Sequence, residues 1–549
     1  MNFKKEIISS LVIPVIGIFF VMFFSPLKAL ALFLGLTCVV CAFLRPQWLI
    51  LFLVFLIPLE PFALKFVPND LYIYARYASE VMVYMLFLSA CVRSRHYFAQ
   101  IKKSPIVYAI VFLFFTICVS IVLNISTPLE VSVLGARQII RFVLLFFVAF
   151  VFLREHFWIK KFFVLMAVVV VLESSIGIAQ ALSGGALDAL LVPAGPKFFN
   201  EYQLTTGTNQ FWEEGQRIFA TMGRYDQLGT FLVFFLLFLL AYAYEGKNPS
   251  IKKYGYIVFL LALPALLLTY SRASWFGFFL GMFLISVVLK KDRRVRAGCI
   301  VALVIGAAYL LYSGMIVPQL TDAPRQTFAE RFFEAFSFER WRGEYYGYGR
   351  LFFMVHAPVA ILSHAPLFGL GPGTFGAGAA TALQYTEQYD RLHLPFGIWG
   401  SEGFIDNNWL SIFGEIGSVG LLAYWMIFFL LMKESYRVWK QGKNGMERAL
   451  GLGYMAAVCA VWFQAFLATY LEMRTLAVYF WLCGGIVARL AVEEREKKRG
   501  GDGAVSFCTG LNGQAGTVFC EAKRDGRLPD KNLAGIFVES AKRYSAGFM

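Results

Sequence analysis

Charged residues are scarce in this chain. They make up 15% of its 549 residues, whereas hydrophobic residues make up 59%. A soluble globular protein does not need so much apolar surface, so the composition excludes that class. Repeated apolar runs of near 20 residues are typical of helices that cross a membrane. The composition therefore predicts a polytopic membrane protein.

Motifs for metal and nucleotide binding are also missing. No Asp-x-Asp occurs, and His356, His364 and His393 match no zinc spacing. The glycine-rich stretch LFGLGPGTFGAG (367–378) lacks the Lys-Ser/Thr that follows a phosphate-binding loop. None of the nine cysteines lies in the long loop predicted over 314–405, which excludes a disulfide framework there. We therefore expect no metal and no cofactor.

The positive charge has a pattern of its own. The formal net charge is +15, and the lysines and arginines lie in short connectors that alternate with connectors poor in basic residues. This alternation is the positive-inside pattern of membrane proteins and argues against nucleic acid as a partner. It places both termini in the cytoplasm and the two long connectors, about 183–226 and 314–405, outside.

Apolar runs predict about fourteen spans. They lie near 7–24, 28–44, 47–60, 76–92, 105–122, 138–153, 161–182, 227–244, 254–269, 274–289, 297–313, 407–432, 449–469 and 475–490. We expect an all-α bundle of 12–14 transmembrane helices with a large, mostly helical periplasmic loop, in which 325–341 forms an amphipathic surface helix. The predicted parts are an N-terminal bundle (1–182), a central segment (183–313), the loop (314–405), C-terminal helices (406–491) and a disordered basic tail (492–549).

A polar quartet stands where the long loop re-enters the membrane. Asp406 precedes Asn407, Asn408 and Trp409 at the start of an apolar helix. An acidic side chain at a membrane boundary suggests a functional site, and Asp406 could act as a general base. Helix capping explains the same residues and is the stronger alternative from spacing alone.

Four arginines are predicted on the same outer side: Arg217, Arg224, Arg272 and Arg350. Arg272 lies at a tight junction between two apolar helices, where a charge is costly unless it is paired. A guanidinium suits phosphate oxygens, so these arginines could hold a lipid pyrophosphate. The alternatives are that Arg272 extends to the interface without a further role, and that Arg350 pairs with Glu344 or Glu339.

Several segments together resemble the O-antigen ligase and polymerase superfamily of membrane glycosyltransferases. LLTYSRASWFGFFLG (267–281) resembles the junction that carries the family's key arginine, here Arg272. RIFATMGRYDQLGTF (217–231) resembles the preceding loop motif with Arg217. The segment 349–375 resembles the run from an arginine, here Arg350, to His-Pro-Leu-x-Gly-x-Gly-Pro-Gly, which begins here at His364.

The ligase motif of His-Asn, nine residues and Gly-x-x-Gly has a counterpart with one change. Asp406-Asn407 is followed after nine residues by Gly417-Ser-Val-Gly420, so aspartate stands at the family's histidine position. A second departure is His364-Ala365-Pro366, one residue longer than His-Pro. The histidine change favours a polymerase, or another polyprenyl-linked glycan transferase, over a strict lipid A-core ligase.

The resemblance implies a glycosyltransferase-C-like membrane bundle in the bacterial inner membrane, with its active site on the periplasmic face. The donor would be a glycan on undecaprenyl pyrophosphate, held by Arg217 and Arg272, and Asp406 would activate a glycan or lipid-core acceptor. Arg350, Asn407, His364 and Arg224 would bind substrate. A chain-length regulator or export complex is a further candidate partner. The alternative is a flippase for lipid-linked oligosaccharide, for which we expect charges through the membrane depth; Glu173 is the main such charge.

Overall fold

The structure is a computed structural model. It describes residues 26–94, 98–192, 197–199, 202–205, 215–316, 330, 334, 336–376, 378–401 and 403–510. The described residues up to Ala491 form one compact unit, and those from Val492 onward form a second. The predicted span 7–24 and most of the predicted surface helix 325–341 lie outside the described residues.

The first part of the chain is helical. It comprises α1 (Pro26–Leu44), α2 (Pro46–Leu64), α3 (Asn69–Ser94), α4 (Phe98–Ile101), α5 (Pro105–Leu123), α6 (Leu129–Ile140), α7 (Leu144–Phe152), α8 (His156–Leu182) and α9 (Asp188–Leu191). Proline occupies the first turn of α2 and α5, where its missing N–H has no helical partner to lose.

A short hairpin and four helical segments follow. They are β1 (Lys197–Phe199), its antiparallel partner β2 (Tyr202–Thr205), α10 (Tyr225–Glu245), α11 (Pro249–Leu268), α12 (Arg272–Phe283) continued by a π-helix (Leu284–Leu289), and α13 (Arg293–Ile316). The α13 span is almost wholly exposed, which is the expectation for a helix that faces lipid.

The long loop contains short helices, and the C-terminal helices close the bundle. The loop holds α14 (Phe338–Tyr346), α15 (Arg350–His364), α16 (Gly378–Leu383), α17 (Glu387–Arg391) and a 3₁₀ turn (Ile398–Gly400); then come α18 (Asn408–Gln441), α19 (Gly445–Gln464), a second 3₁₀ turn (Tyr470–Glu472) and α20 (Arg474–Gly510). The apolar part of α20 is completely buried, with Tyr479, Phe480 and Trp481 in the core. It is therefore the central helix, around which α10, α18 and α19 lie.

The predicted all-α membrane architecture is confirmed. Among the described residues, eleven helical segments are long and apolar enough to cross a membrane. The predicted spans 28–44 and 449–469 correspond to α1 and α19, which are helical but outside those eleven. α20 continues to Gly510, through the first part of the tail for which we expected disorder.

Charges inside the spans are more numerous than expected. Glu173 is fully buried, and the backbone N–H and the hydroxyl of Thr221 donate to its carboxylate. The expectation that it is the main such charge is wrong, because Glu80 in α3 accepts hydrogen bonds from Arg137 in α6. Both carboxylates accept hydrogen bonds within the protein, since a charge without a partner at that depth is costly.

The two ends of α10 define the two ends of the bundle. Glu245, at the last residue of α10, accepts hydrogen bonds from the Trp439 indole (2.7 Å) and Arg448 Nε (2.8 Å), and it pairs with Lys290. The other end of α10 begins at Tyr225, 20 residues earlier. A helix rises about 1.5 Å per residue, so the two ends of α10 lie about 30 Å apart.

Candidate functional site

Three long helices begin at the Tyr225 end of the bundle. α10 starts at Tyr225, α12 at Arg272 and α18 at Asn408. The ends of α11 and α19 lie there too, since Ile218 N–H donates to Leu268 O (3.3 Å) and Asn408 N–H donates to Ala465 O (2.8 Å). The side chains at these helix starts therefore face a common region.

Asp406 binds Arg350 and does not cap the helix. Arg350 donates to the Asp406 Oδ2 atom from both Nη2 (2.5 Å) and Nε (3.1 Å). Within the described part of the chain, Asp406 Oδ1 accepts no hydrogen bond. Asp406 has a φ of 45°, outside the helix, and the cap is Asn407. The capping alternative for Asp406 is therefore wrong, and among the described residues its second carboxylate oxygen has no hydrogen-bond donor.

Asn407 and Asn408 hold the start of α18 in place. The Asn407 side-chain oxygen accepts from Leu410 N–H (3.0 Å), and the Asn408 side-chain oxygen accepts from Leu471 N–H (3.0 Å). Both asparagines are buried. The structure thus gives Asn407, which we predicted to bind substrate, a capping contact.

Tyr225 lies among the predicted arginines. The Arg217 guanidinium stacks 4.3 Å from the centroid of the Tyr225 ring. Tyr225 also lies within electrostatic range of Arg224, Arg272 and Arg350. We call these four arginines the arginine group. The structure therefore brings together residues that are up to 133 positions apart in the sequence.

Most of these guanidinium groups form ion pairs with carboxylates. Arg224 binds Asp226 with two hydrogen bonds of 3.0 Å, and this carboxylate raises the pKa of Arg224. Arg272 Nη1 lies 3.4 Å from the buried Glu334, which also lies 3.4 Å from Arg340 Nε. Among the described residues, Arg217 contacts no carboxylate.

Glu344 connects this network to Arg350. Arg340 donates to Glu344 Oε1 (2.8 Å), and the backbone N–H of Arg350 donates to Glu344 Oε2 (3.0 Å). The alternative that the Arg350 side chain pairs with Glu344 is wrong, because its guanidinium binds Asp406. Burial lowers the pKa of Arg350, but the Asp406 carboxylate outweighs that effect and raises it overall.

His364 lies at the other end of α15 from Arg350. It is 14 residues further along the helix, which corresponds to about 21 Å. Its Nδ1 atom lies 2.9 Å from Ala360 O in the same helix, and its side chain is exposed. The structure does not bring this predicted substrate-binding residue to the arginine group.

Gly417 interrupts α18, and the glycine-rich loop (367–378) packs against the helix at this interruption. The Gly417 φ of 70° and ψ of −171° are not helical. On either side of the break, Leu370 N–H donates to Gly414 O (2.8 Å), and Val419 N–H donates to Leu367 O (3.1 Å). A Cβ atom on Gly417 would lie 2.3 Å from Leu367 O, so only glycine permits this approach. The Gly-x-x-Gly motif thus anchors the loop to the membrane helix.

Residues 257–425 match the family model described as O-antigen ligase. The match confirms the predicted resemblance to the O-antigen ligase and polymerase superfamily. No curated protein matches the chain.

The matched segment contains much of the site. Arg272, Arg350, Asp406 and Gly417 lie within it, whereas Tyr225 and the other two arginines of the group precede it. Tyr225 was missed from the sequence, although its position directly after Arg224 at a helix start was a usable signal. Glu334 was missed as well, because its contact with Arg272 spans 62 positions.

A partly buried carboxyl group lies beside the site. Glu472 follows Tyr470, which is within electrostatic range of Arg350 and Asp406. Burial raises the pKa of Glu472 to about 7, against the opposing effects of Arg141 and a hydrogen bond from Gln138. Glu472 therefore titrates near neutral pH.

Proposed function

We propose that this protein is an inner-membrane glycosyltransferase that transfers or polymerises undecaprenyl-pyrophosphate-linked oligosaccharide on the periplasmic face. One observation carries the proposal: the arginine group and Asp406 converge around Tyr225 at the start of three long helices. Helix N-termini and guanidinium groups both favour a pyrophosphate. The O-antigen ligase match supports the same class of reaction.

The proposed reaction is a single displacement. An acceptor hydroxyl attacks the anomeric carbon of the donor while the bond between that carbon and the pyrophosphate oxygen breaks. The hydroxyl proton passes to Asp406, whose Oδ1 atom is available while Arg350 holds Oδ2. The pyrophosphate leaves with the bonding electrons, and Arg217 and Arg272 stabilise the charge that it gains. Attack from the opposite side inverts the anomeric centre.

The two ends of the bundle support a periplasmic site. The connectors at the Glu245 end, opposite Tyr225, carry lysines: Lys247 follows α10 closely, and Lys290 and Lys291 follow the π-helix. Short connectors rich in basic residues favour the cytoplasmic side of a membrane. The arginine group would therefore lie at the periplasmic boundary, where a donor lipid presents its headgroup.

The aspartate at the family's histidine position favours polymerisation or another glycan transfer over strict lipid A-core ligation. The partners would be the lipid-linked donor, a glycan or lipid-core acceptor, and a chain-length regulator or export complex. The reaction as written needs no metal and no sugar nucleotide. The described residues contain no group of three or more potential metal ligands, and metal independence stays a prediction.

The test uses purified protein in nanodiscs with a labelled undecaprenyl-pyrophosphate oligosaccharide. Glycan length and released lipid pyrophosphate are measured for wild type, Arg272→Ala and Asp406→Asn. Arg437→Ala is a matched control, because Arg437 has the same 26% side-chain exposure as Arg272 and is also paired with a glutamate. Longer glycans and released lipid from wild type and the control, but not from the site variants, would support a polymerase.

Other outcomes separate the alternatives. Release only after a second acceptor is added would indicate a ligase. Movement of the labelled lipid between leaflets without any bond cleavage would refute the glycosyltransferase proposal in favour of a flippase. Equal activity of Arg272→Ala and the control would remove Arg272 from the site.

A further inference from the structure

An apolar groove lies between four helices, away from the arginine group. It has a volume of about 590 Å³ and is lined by residues of α8, α10, α11 and the start of α19. Phe163, Ala167, Phe238 and Gly255 are among the apolar residues that form its walls. A groove of this size and composition fits a hydrocarbon ligand.

The groove is separate from the proposed active site. Its α10 residues run from Phe235 to Tyr242, 10 to 17 positions after Tyr225. At about 1.5 Å per residue, they lie about 15–26 Å along the helix from the arginine group. The groove therefore lies in the half of the bundle that ends at Glu245.

One charged side chain marks the mouth of the groove. Lys160, in the first turns of α8, is exposed and lines the groove, and it contacts no carboxylate among the described residues. Its neighbour Lys161 is engaged elsewhere, since its ammonium group lies 4.5 Å from the Trp48 ring centroid and 4.4 Å from that of Phe157. The tyrosines Tyr242 and Tyr254 also line the groove. Lysine and tyrosine beside an apolar wall are typical of the headgroup level of a bilayer.

We propose that this groove binds an anionic phospholipid, with one acyl chain along the apolar walls and the headgroup phosphate on Lys160. The apolar walls fit an acyl chain, and the Lys160 ammonium group, which contacts no carboxylate in the described part of the chain, attracts a negatively charged headgroup. The ligand belongs to the leaflet opposite the proposed glycosyl transfer. This inference does not depend on the proposed enzyme activity.

The test is competitive lipid binding measured by native mass spectrometry of the whole protein. Protein in detergent is incubated with equal amounts of phosphatidylglycerol and phosphatidylethanolamine that carry the same acyl chains. We expect wild type to bind more phosphatidylglycerol than phosphatidylethanolamine. Lys160→Gln should lower the ratio of the two bound lipids about fivefold, which is the effect of one lysine at a membrane surface. Lys253→Gln is the charge control, because residue 253 is exposed and lies two positions, or about 200°, from the groove-lining Ile251 on α11.

A second pair of variants tests the acyl chain. A Cβ atom on Gly255 would meet nothing closer than 4.0 Å, so Gly255→Leu would project into the groove and reduce binding of both lipids. Gly298→Leu is its control, since Gly298 is exposed with no atom within 4 Å of a Cβ there. The proposal is overturned if Lys253→Gln lowers the preference as much as Lys160→Gln. It is also overturned if Gly255→Leu retains lipid as wild type does.

Discussion

Replacing Gly417 with alanine tests the break in α18 most directly. The Gly417 backbone, with φ 70° and ψ −171°, lies in a region that is essentially restricted to glycine. The added Cβ would lie 2.3 Å from Leu367 O and 2.5 Å from Phe368 N, and both are backbone atoms that cannot rotate away. The loop would have to move by about 1 Å, since carbon contacts need about 3.5 Å.

Three effects contribute to the destabilisation. Backbone strain is worth about 1–3 kcal/mol, and steric overpacking about 1–3 kcal/mol. The loop movement also weakens the hydrogen bonds from Ser418 N–H to Pro366 O (3.0 Å) and from Val419 N–H to Leu367 O (3.1 Å), each worth about 1 kcal/mol. Because such contributions are not additive, we expect Gly417→Ala to lower the free energy of unfolding by about 3–6 kcal/mol.

The assay is reversible unfolding in mixed detergent micelles, followed by tryptophan fluorescence. Gly298→Ala is the control: it lies in a helix with open space around its Cβ position, so alanine should be neutral or stabilise by up to about 1 kcal/mol. A Gly417→Ala protein within 1 kcal/mol of wild type, on the order of one hydrogen bond, would refute the role of the break.

Three further variants probe the site. Asp406→Asn should lower kcat by about 10²–10⁴-fold, the usual contribution of a general base, while the loss of its partly exposed pair with Arg350 costs about 1 kcal/mol of stability. Glu334→Gln should lower the KM for the lipid donor by up to about fivefold, because Arg272 would no longer have to break its ion pair with residue 334 before it binds the donor. Glu472 protonates more readily when folded, so its contribution to stability is complete below pH 4.5 and is lost as the pH rises to about 7. Glu472→Gln should therefore reduce the fall in unfolding temperature between pH 5 and pH 8.

Controls for these predictions come from the opposite end of the bundle. Glu434→Gln removes a carboxylate that is paired with Arg437 and buried like Glu334, and it should leave kcat and the donor KM unchanged. A drop in kcat of less than about tenfold for Asp406→Asn would fall below the range of general-base catalysis and contradict that role. An unchanged pH dependence for Glu472→Gln would show that another group titrates.

The helices were predictable because their signal is local. Apolar runs locate the described spans to within a few residues for helices such as α5 and α10, and the lysines in the connectors predict their orientation. Arg272 and Asp406 were predictable from the cost of charge at a membrane boundary, together with the family resemblance. Neither signal needs knowledge of which helices touch.

The contacts among those residues were not predictable. Spacing alone left open whether Asp406 caps α18 or acts as a base. In the structure the following Asn407 is the cap, and only the fold brings Arg350 from 56 positions away to Asp406. The break at Gly417 depends on a loop that lies about 50 positions earlier, so hydropathy alone predicts an unbroken span. The pairing of Glu80 with Arg137 is equally non-local.

Among the described residues, the ion pairs around Tyr225 leave the site close to electroneutral. That part of the chain places five arginines against four carboxylates: Arg217, Arg224, Arg272, Arg340 and Arg350 against Asp226, Glu334, Glu344 and Asp406. If the proposed function holds, a pyrophosphate that enters would exchange with protein carboxylates instead of filling a bare cationic pocket. Donor affinity would then be the difference between two sets of ion pairs, and Glu334 would compete with the lipid for the Arg272 guanidinium group.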